Sequence, residues 1–180
     1  MVFIKCICNI IKITIFTFIR MMEKMDHLAF LKLSVEEAMD GMRAGDGGPF
    51  GAVIVRNGEI LGRGHNTVLK SHDPSAHAEV NAIRNASALV QDHHLTGATI
   101  YTNFEPCPMC LGAIYWADIR DVYYCAGRQV AERIGFMDKH LYEEFARPTE
   151  AREISTTLIT TRDMDHLLDE WDQMEGKILY

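Results

Sequence analysis

The chain has 180 residues, 48% of them hydrophobic and 24% charged, which suits one soluble domain with a real core. Its net charge is −7, and Lys5, Lys12 and Arg20 give the first 22 residues +3, so the remainder carries −10. A domain that acidic is a poor partner for a phosphate backbone, which rewards Lys and Arg, and fits a small, weakly charged substrate better.

Residues 1–24 are an apolar extension. The first 19 hold no Ala or Gly, so no small-residue cleavage site is visible. Lys5 and Lys12 interrupt the run, which weakens a membrane span. A signal anchor is one reading of this segment. The plainer one is a start placed too early, since Met21, Met22 and Met25 offer later starts. The fold is therefore sought in residues 25–180.

From Asp26 the pattern becomes regular. Leu31, Val35, Ala38, Met39 and Met42 recur at helical spacing. Gly45 and Asp46-Gly47-Gly48-Pro49 end that helix. Phe50–Val55 and Glu59–Asn66 read as two strands joined by Asn57-Gly58, a strong hairpin signal. Asp73-Pro74-Ser75 closes a loop before a helix over Ala76–Leu89, with Ala78, Ala82 and Ala86 on one face. Thr99–Asn103 is a third strand, Pro106–Ala117 a helix, Asp121–Cys125 a fourth strand and Ile154–Thr160 a fifth. Asp163–Glu175 closes the chain as a helix. Strands alternating with helices imply an α/β layered domain.

The chemistry concentrates in His77-Ala78-Glu79 and Pro106-Cys107-Pro108-Met109-Cys110. One imidazole and two thiolates suit tetrahedral Zn²⁺. Three protein ligands leave a fourth position for water, as in a catalytic site, and Glu79 stands close enough to carry protons. A redox Cys-x-x-Cys would explain neither His77-Ala78-Glu79 nor the prolines flanking Cys107. A closed structural zinc would want a fourth Cys or His at short spacing, and only His72 lies near His77. Cys6, Cys8 and Cys125 leave an odd remainder, which does not suggest a disulfide framework and favours a reducing cytoplasm. The expected helices would begin at the ligands, where free N–H groups and the helix dipole favour thiolates. The glycine-rich stretch Gly45–Gly51 is not a phosphate cradle, because its sixth residue is Phe50 and it precedes a strand.

These motifs resemble the cytidine/deoxycytidylate deaminase superfamily, whose signature is H-x-E followed by P-C-x-x-C. Within it the chain is most similar to bacterial-type guanine deaminases. The matching stretches are Gly47–Val55, Asp73–Val80, Ala82-Ile83-Arg84 and Glu105–Ala117, with Gly135-Phe136, Asp138 and a terminal Tyr180, so the resemblance covers residues 26–180. Asn103-Phe104 departs from the small polar or Cys residues common before Glu105, and is expected to reshape the pocket wall.

The resemblance implies a three-layer cytidine-deaminase-like fold, a mixed five-stranded sheet between helices, and a cytoplasmic homodimer. It implies that the C-terminal segment, about residues 150–180, is exchanged with the partner subunit. It implies one Zn²⁺ per chain on His77, Cys107 and Cys110, and deamination of a free purine base, guanine, to xanthine. Glu79 would take a proton from water, deliver it to the ring nitrogen and help ammonia leave, while Asp138 would move protons to the leaving amine. Asn66 would bind the purine edge, Phe50 and Trp116 would stack on the ring, and Tyr180 would close over it. Glu105 would be structural, holding backbone N–H groups around the cysteine loop. A tRNA adenosine deaminase is the main alternative, against which the acidic Asp163–Glu175 segment argues. Deamination of guanosine, cytosine or a related heterocycle is open. So is a zinc-binding scaffold without catalysis, against which Glu79 argues. No membrane or nucleic-acid partner is expected.

Overall fold

The computed structural model describes residues 27–179. The expectations for residues 1–24 and for Tyr180 lie outside that range. Helix α1 runs over 27–44. Strands β1 (Gly51–Arg56) and β2 (Glu59–His65) follow, then the short helix α2 (Val68–Ser71) and α3 (Ala78–Val90). Next come β3 (Thr99–Phe104), α4 (Pro108–Trp116), β4 (Asp121–Ala126), α5 (Arg128–Arg133), α6 (Asp138–Ala146) and α7 (Arg162–Gln173).

The sheet is mixed, in the order β2-β1-β3-β4. β1 pairs antiparallel with β2 and β3, and β3 pairs parallel with β4. Asn57 and Gly58, both at positive φ, turn the β1–β2 hairpin as its sequence requires. The β3–β4 pair is parallel, which demands a crossover, and α4 supplies it.

Alternation along the strands makes the layers. Ala52, Ile54 and Ile100 face α3 and α4, packing with Ala78, Ala82, Ala86 and Ile114. Val53, Val55 and Tyr101 face the other way, against Phe30, Leu31 and Leu33 of α1. Since neighbouring side chains leave a strand on opposite faces, one short sheet serves two cores.

Helix α3 lies very close to β2. A Cβ on Gly62 would stand 2.5 Å from the Ala82 carbonyl oxygen, and one on Gly64 would stand 2.6 Å from the Ala78 carbonyl oxygen and the Ala82 nitrogen. Glycine on the strand and alanine on the helix form a seam with no room between backbones. That seam fixes the start of α3, where the functional residues sit.

The sheet has four strands among the described residues, not five. Residues 154–160 form no strand, and Leu158 is 90% exposed. Their β-rich composition satisfies local propensity, but a strand is stable only when its N–H and C=O groups find a neighbouring strand. The expected closing helix does form, as α7. No described helix is long and apolar enough to cross a membrane.

Candidate active site

His77 and Cys107 occupy equivalent places: each is the N-cap of its helix, in extended backbone, at the start of α3 and α4. Pro108 fits the first turn of α4 because its missing N–H would be unpaired there anyway. Cys110, one turn on, completes the trio. The His77 Nδ1 lies 3.6 Å from Cys107 Sγ and 3.5 Å from Cys110 Sγ. All three ligand atoms fall within 4.8 Å of one another.

These distances fit zinc. With Zn–S near ~2.3 Å and Zn–N near ~2.0–2.1 Å, a tetrahedral angle separates N and S ligands by roughly 3.6 Å. The donor set, one imidazole and two thiols aimed at a common point, is therefore already at coordination spacing.

The thiols are electrostatically unequal. Cys107 is lowered to about 4, chiefly by its hydrogen bond with Cys110 and then, against burial, by the one with His77. Cys110 is pushed up, chiefly by the same bond to Cys107 and by burial. The pair thus shares one readily lost proton, and binding to a metal cation strips thiols of the other. His77 is raised, first by its bond to Cys107.

Glu79 lies beneath this cradle, only 5% exposed. Its Oε2 accepts from the Cys110 thiol at 3.4 Å, and its Oε1 from the Thr102 hydroxyl at 3.5 Å. Burial raises its carboxyl above the ordinary range, because the low-polarity surroundings disfavour the charged form. An acid so placed can both accept and return a proton.

A cavity of about 420 Å³ opens over these groups. Such a volume suits a small ligand. Six of the expected residues line it: Phe50, Asn66, His77, Glu79, Cys107 and Asp138. Asn66 is buried, and its Oδ1 accepts from the Val68 N–H at 3.2 Å. Gly47 packs against it so tightly that an added Cβ would stand 2.1 Å from Asn66 Oδ1. Phe50 meets Phe136 edge-on, with ring centroids 4.6 Å apart. Asp138 opens α6, and burial, followed by the nearby Cys107 charge, raises its carboxyl.

Asn103 and Phe104 do not line the cavity; they stand behind residues that do or that adjoin it. The Asn103 amide donates to the Pro49 carbonyl at 2.8 Å and accepts from the Gly51 N–H at 2.9 Å. Phe104 supports Phe50, centroids 5.1 Å apart.

Trp116 lies away from the cavity of its own chain, and the expectation for Glu105 needs correcting. Trp116 is 67% exposed and is not among the cavity-lining residues. It sits in the last turn of α4, whose first turn holds the cysteines, so the helix carries it away from the site. Glu105 does line the cavity, but its partners are not backbone groups of the cysteine loop. It accepts from the Arg128 backbone N–H and Nε, each at 3.0 Å, and from Nη2. Among the residues the sequence reading gave no role, Phe136, Leu69 and Pro74 also form the wall. The clue to Phe136 was its place two residues before Asp138, across a turn with Gly135 at positive φ.

The family described as the cytidine and deoxycytidylate deaminase zinc-binding region matches residues 24–126, more than half of the chain. The chain belongs to this family. The deaminase is 44% identical over 156 residues to guanine deaminase of Bacillus subtilis, covering 87% of this chain and all of that protein. A solved structure of Bacillus subtilis guanine deaminase superposes with a TM-score of 0.81, covering 86% of this chain and 98% of that one. A structure of guanine deaminase from Nitrosomonas europaea is 30% identical, with a TM-score of 0.59 over 81% of this chain and 84% of that one. A structure from a study of A-to-I editing by tRNA:A34 deaminases is 33% identical, with a TM-score of 0.56 over 71% of this chain and 95% of that one.

Proposed function

We propose that the deaminase hydrolyses the amino group from a free purine base, converting guanine to xanthine and ammonia. The observation that carries this reading is the pairing of a buried Glu79 with the three-ligand cradle on the floor of a small cavity. The identity to a guanine deaminase across that protein's full length supports guanine as the base.

His77, Cys107 and Cys110 would hold one zinc per chain, which supplies a Lewis acid able to acidify water toward pH ~7. Glu79 takes the proton of the attacking water and delivers it to the ring nitrogen beside the reacting carbon. It then takes the second proton from the hydroxyl now on that carbon and passes it to the amine, so that the C–N bond breaks, ammonia leaves and the carbonyl forms. Asp138, on the facing wall, moves protons to the leaving amine. Asn66 reads the purine edge, since an amide offers both donor and acceptor. Phe50 and Phe136 flank the ring.

The C-terminal segment is assigned to a subunit exchange. Helix α7 is strongly amphipathic, yet Met164, Leu167, Leu168 and Trp171 are exposed in the single chain. An apolar stripe of that size calls for a cover. In the dimer we infer, each segment packs on the other subunit, with the partner subunit's Tyr180 closing over the cavity. Trp116 and Tyr115 on α4, also exposed, belong to that contact surface.

The tRNA-deaminase relatives make adenosine in tRNA the competing substrate. The net charge of −7 and the acidic α7 favour the free base. The deciding experiment measures ammonia from guanine, guanosine, adenine, cytosine and a tRNA. Guanine is expected to be turned over far faster than the rest. Efficient action on tRNA with none on guanine would transfer the assignment, and no ammonia from any substrate would point to a zinc-binding scaffold.

A further inference from the structure

Asp138 faces the cavity from α6, an element that follows the β4–α5 segment and contributes none of the zinc ligands. What holds α6 against the cradle is a closed circuit of four residues. Glu105 grips Arg128 through both carboxylate oxygens. The Arg128 guanidinium lies over the Tyr142 ring, 3.5 Å from its centroid. The Tyr142 hydroxyl donates to the Pro106 carbonyl at 2.8 Å. Pro106 is covalently next to Glu105 and to Cys107, so the circuit returns to its start.

The three segments it joins are the loop bearing Cys107, the start of α5 and the middle of α6. Tyr142 stands four residues after Asp138, and residues so spaced share one face of a helix. A shift of Tyr142 therefore moves Asp138 with it. The contacts are of specific kinds: a two-point guanidinium–carboxylate grip, a cation over an aromatic face and a hydroxyl–carbonyl bond. Lysine in place of Arg128 would keep the charge and lose the two-point grip.

We propose that Arg128 and Tyr142 are positioning residues, which lock α6 to the Cys107 loop and thereby set Asp138 against the substrate. The inference rests on the proposed role of Asp138 in deamination. Its structural half, that the circuit holds α6, stands apart from any activity.

The test uses the full chain loaded with zinc and five variants: Tyr142→Phe, Arg128→Lys, Arg128→Met, Asp138→Asn, and Tyr142→Phe combined with Asp138→Asn. Tyr142→Phe keeps the ring over Arg128 and removes one hydrogen bond, so the fold is retained. Amide hydrogen exchange should quicken over residues 138–146 and stay unchanged over α3, with zinc content at the wild-type level. With guanine, kcat should fall ~10-fold with little change in KM. In the Asp138→Asn background the same change should cost almost nothing, because the group it positions is already gone. Arg128→Lys should recover part of the activity lost in Arg128→Met. Unchanged exchange in α6, or a Tyr142→Phe loss that multiplies fully with that of Asp138→Asn, overturns the proposal. Failure of the wild type to act on guanine would instead overturn the substrate assignment, while hydrogen exchange would still decide the circuit.

Discussion

Glu79 and Asn66 lie on the cavity wall for different reasons, and substitutions should separate them. Glu79→Gln keeps the size and burial of the side chain but cannot shuttle protons. Turnover should drop by ~10²–10⁴-fold with zinc retained, as metal analysis beside steady-state kinetics would show. Near wild-type turnover would remove Glu79 from the mechanism. Cys107→Ala deletes a ligand, so zinc content should fall sharply; full retention would exclude Cys107 from the ligand set. Gly47 has no chemistry of its own, yet an added Cβ would meet both the side chain and the backbone of Asn66. Gly47→Ala should therefore raise KM much as Asn66→Ala does, by ~1–3 kcal/mol of lost binding, with zinc unaffected. This dependence was not legible in the sequence. The chemical residues were, because His77, Glu79, Cys107 and Cys110 announce themselves by type and spacing. Trp116 lies off the cavity of its own chain, since an aromatic near a ligand in sequence can sit at the far end of the same helix.

Elements carry the same lesson. The α1, α3 and α4 helices and the first four strands followed from periodicity and turn residues, with ends differing by one or two positions. The expected strand at 154–160 failed because propensity names a conformation and not a partner. At this scale the Glu105–Arg128 pair makes a pH prediction. The Arg128 guanidinium holds the Glu105 carboxyl below its ordinary range. A lowered folded value means that the stability from this pair is complete above the unfolded value of about 4.5 and is lost as pH falls through the folded one. Its size should stay below ~1 kcal/mol, because the guanidinium is partly in water. Thermal melts of Glu105→Gln and wild type should thus differ at pH 7 and converge in acid. A constant difference would deny the pair this role.

For the molecule as a whole, the prediction concerns the C-terminal segment. Truncation after residue 160 removes the exposed amphipathic α7 and everything beyond it. Sedimentation should show the truncated chain as a monomer, with zinc retained and guanine turnover largely lost. A truncated chain that remains dimeric and active would refute the exchange. None of this association could be read from periodicity, since an apolar stripe looks the same whether it meets its own core or another subunit.

The glycine–alanine seam between β2 and α3 has a consequence for how such a site can change. Where two backbones touch, nearly every substitution adds atoms with nowhere to go, and overpacking costs ~1–3 kcal/mol. In a saturation library selected for folding, Gly62, Gly64, Ala78 and Ala82 should accept almost nothing, which deep sequencing would reveal. The segments carrying Leu69 and Phe136 contribute nothing to that seam, so these two side chains should be able to vary while His77 stays put. New substrate preferences should therefore arise on the rim of the cavity, around a floor that selection can scarcely edit.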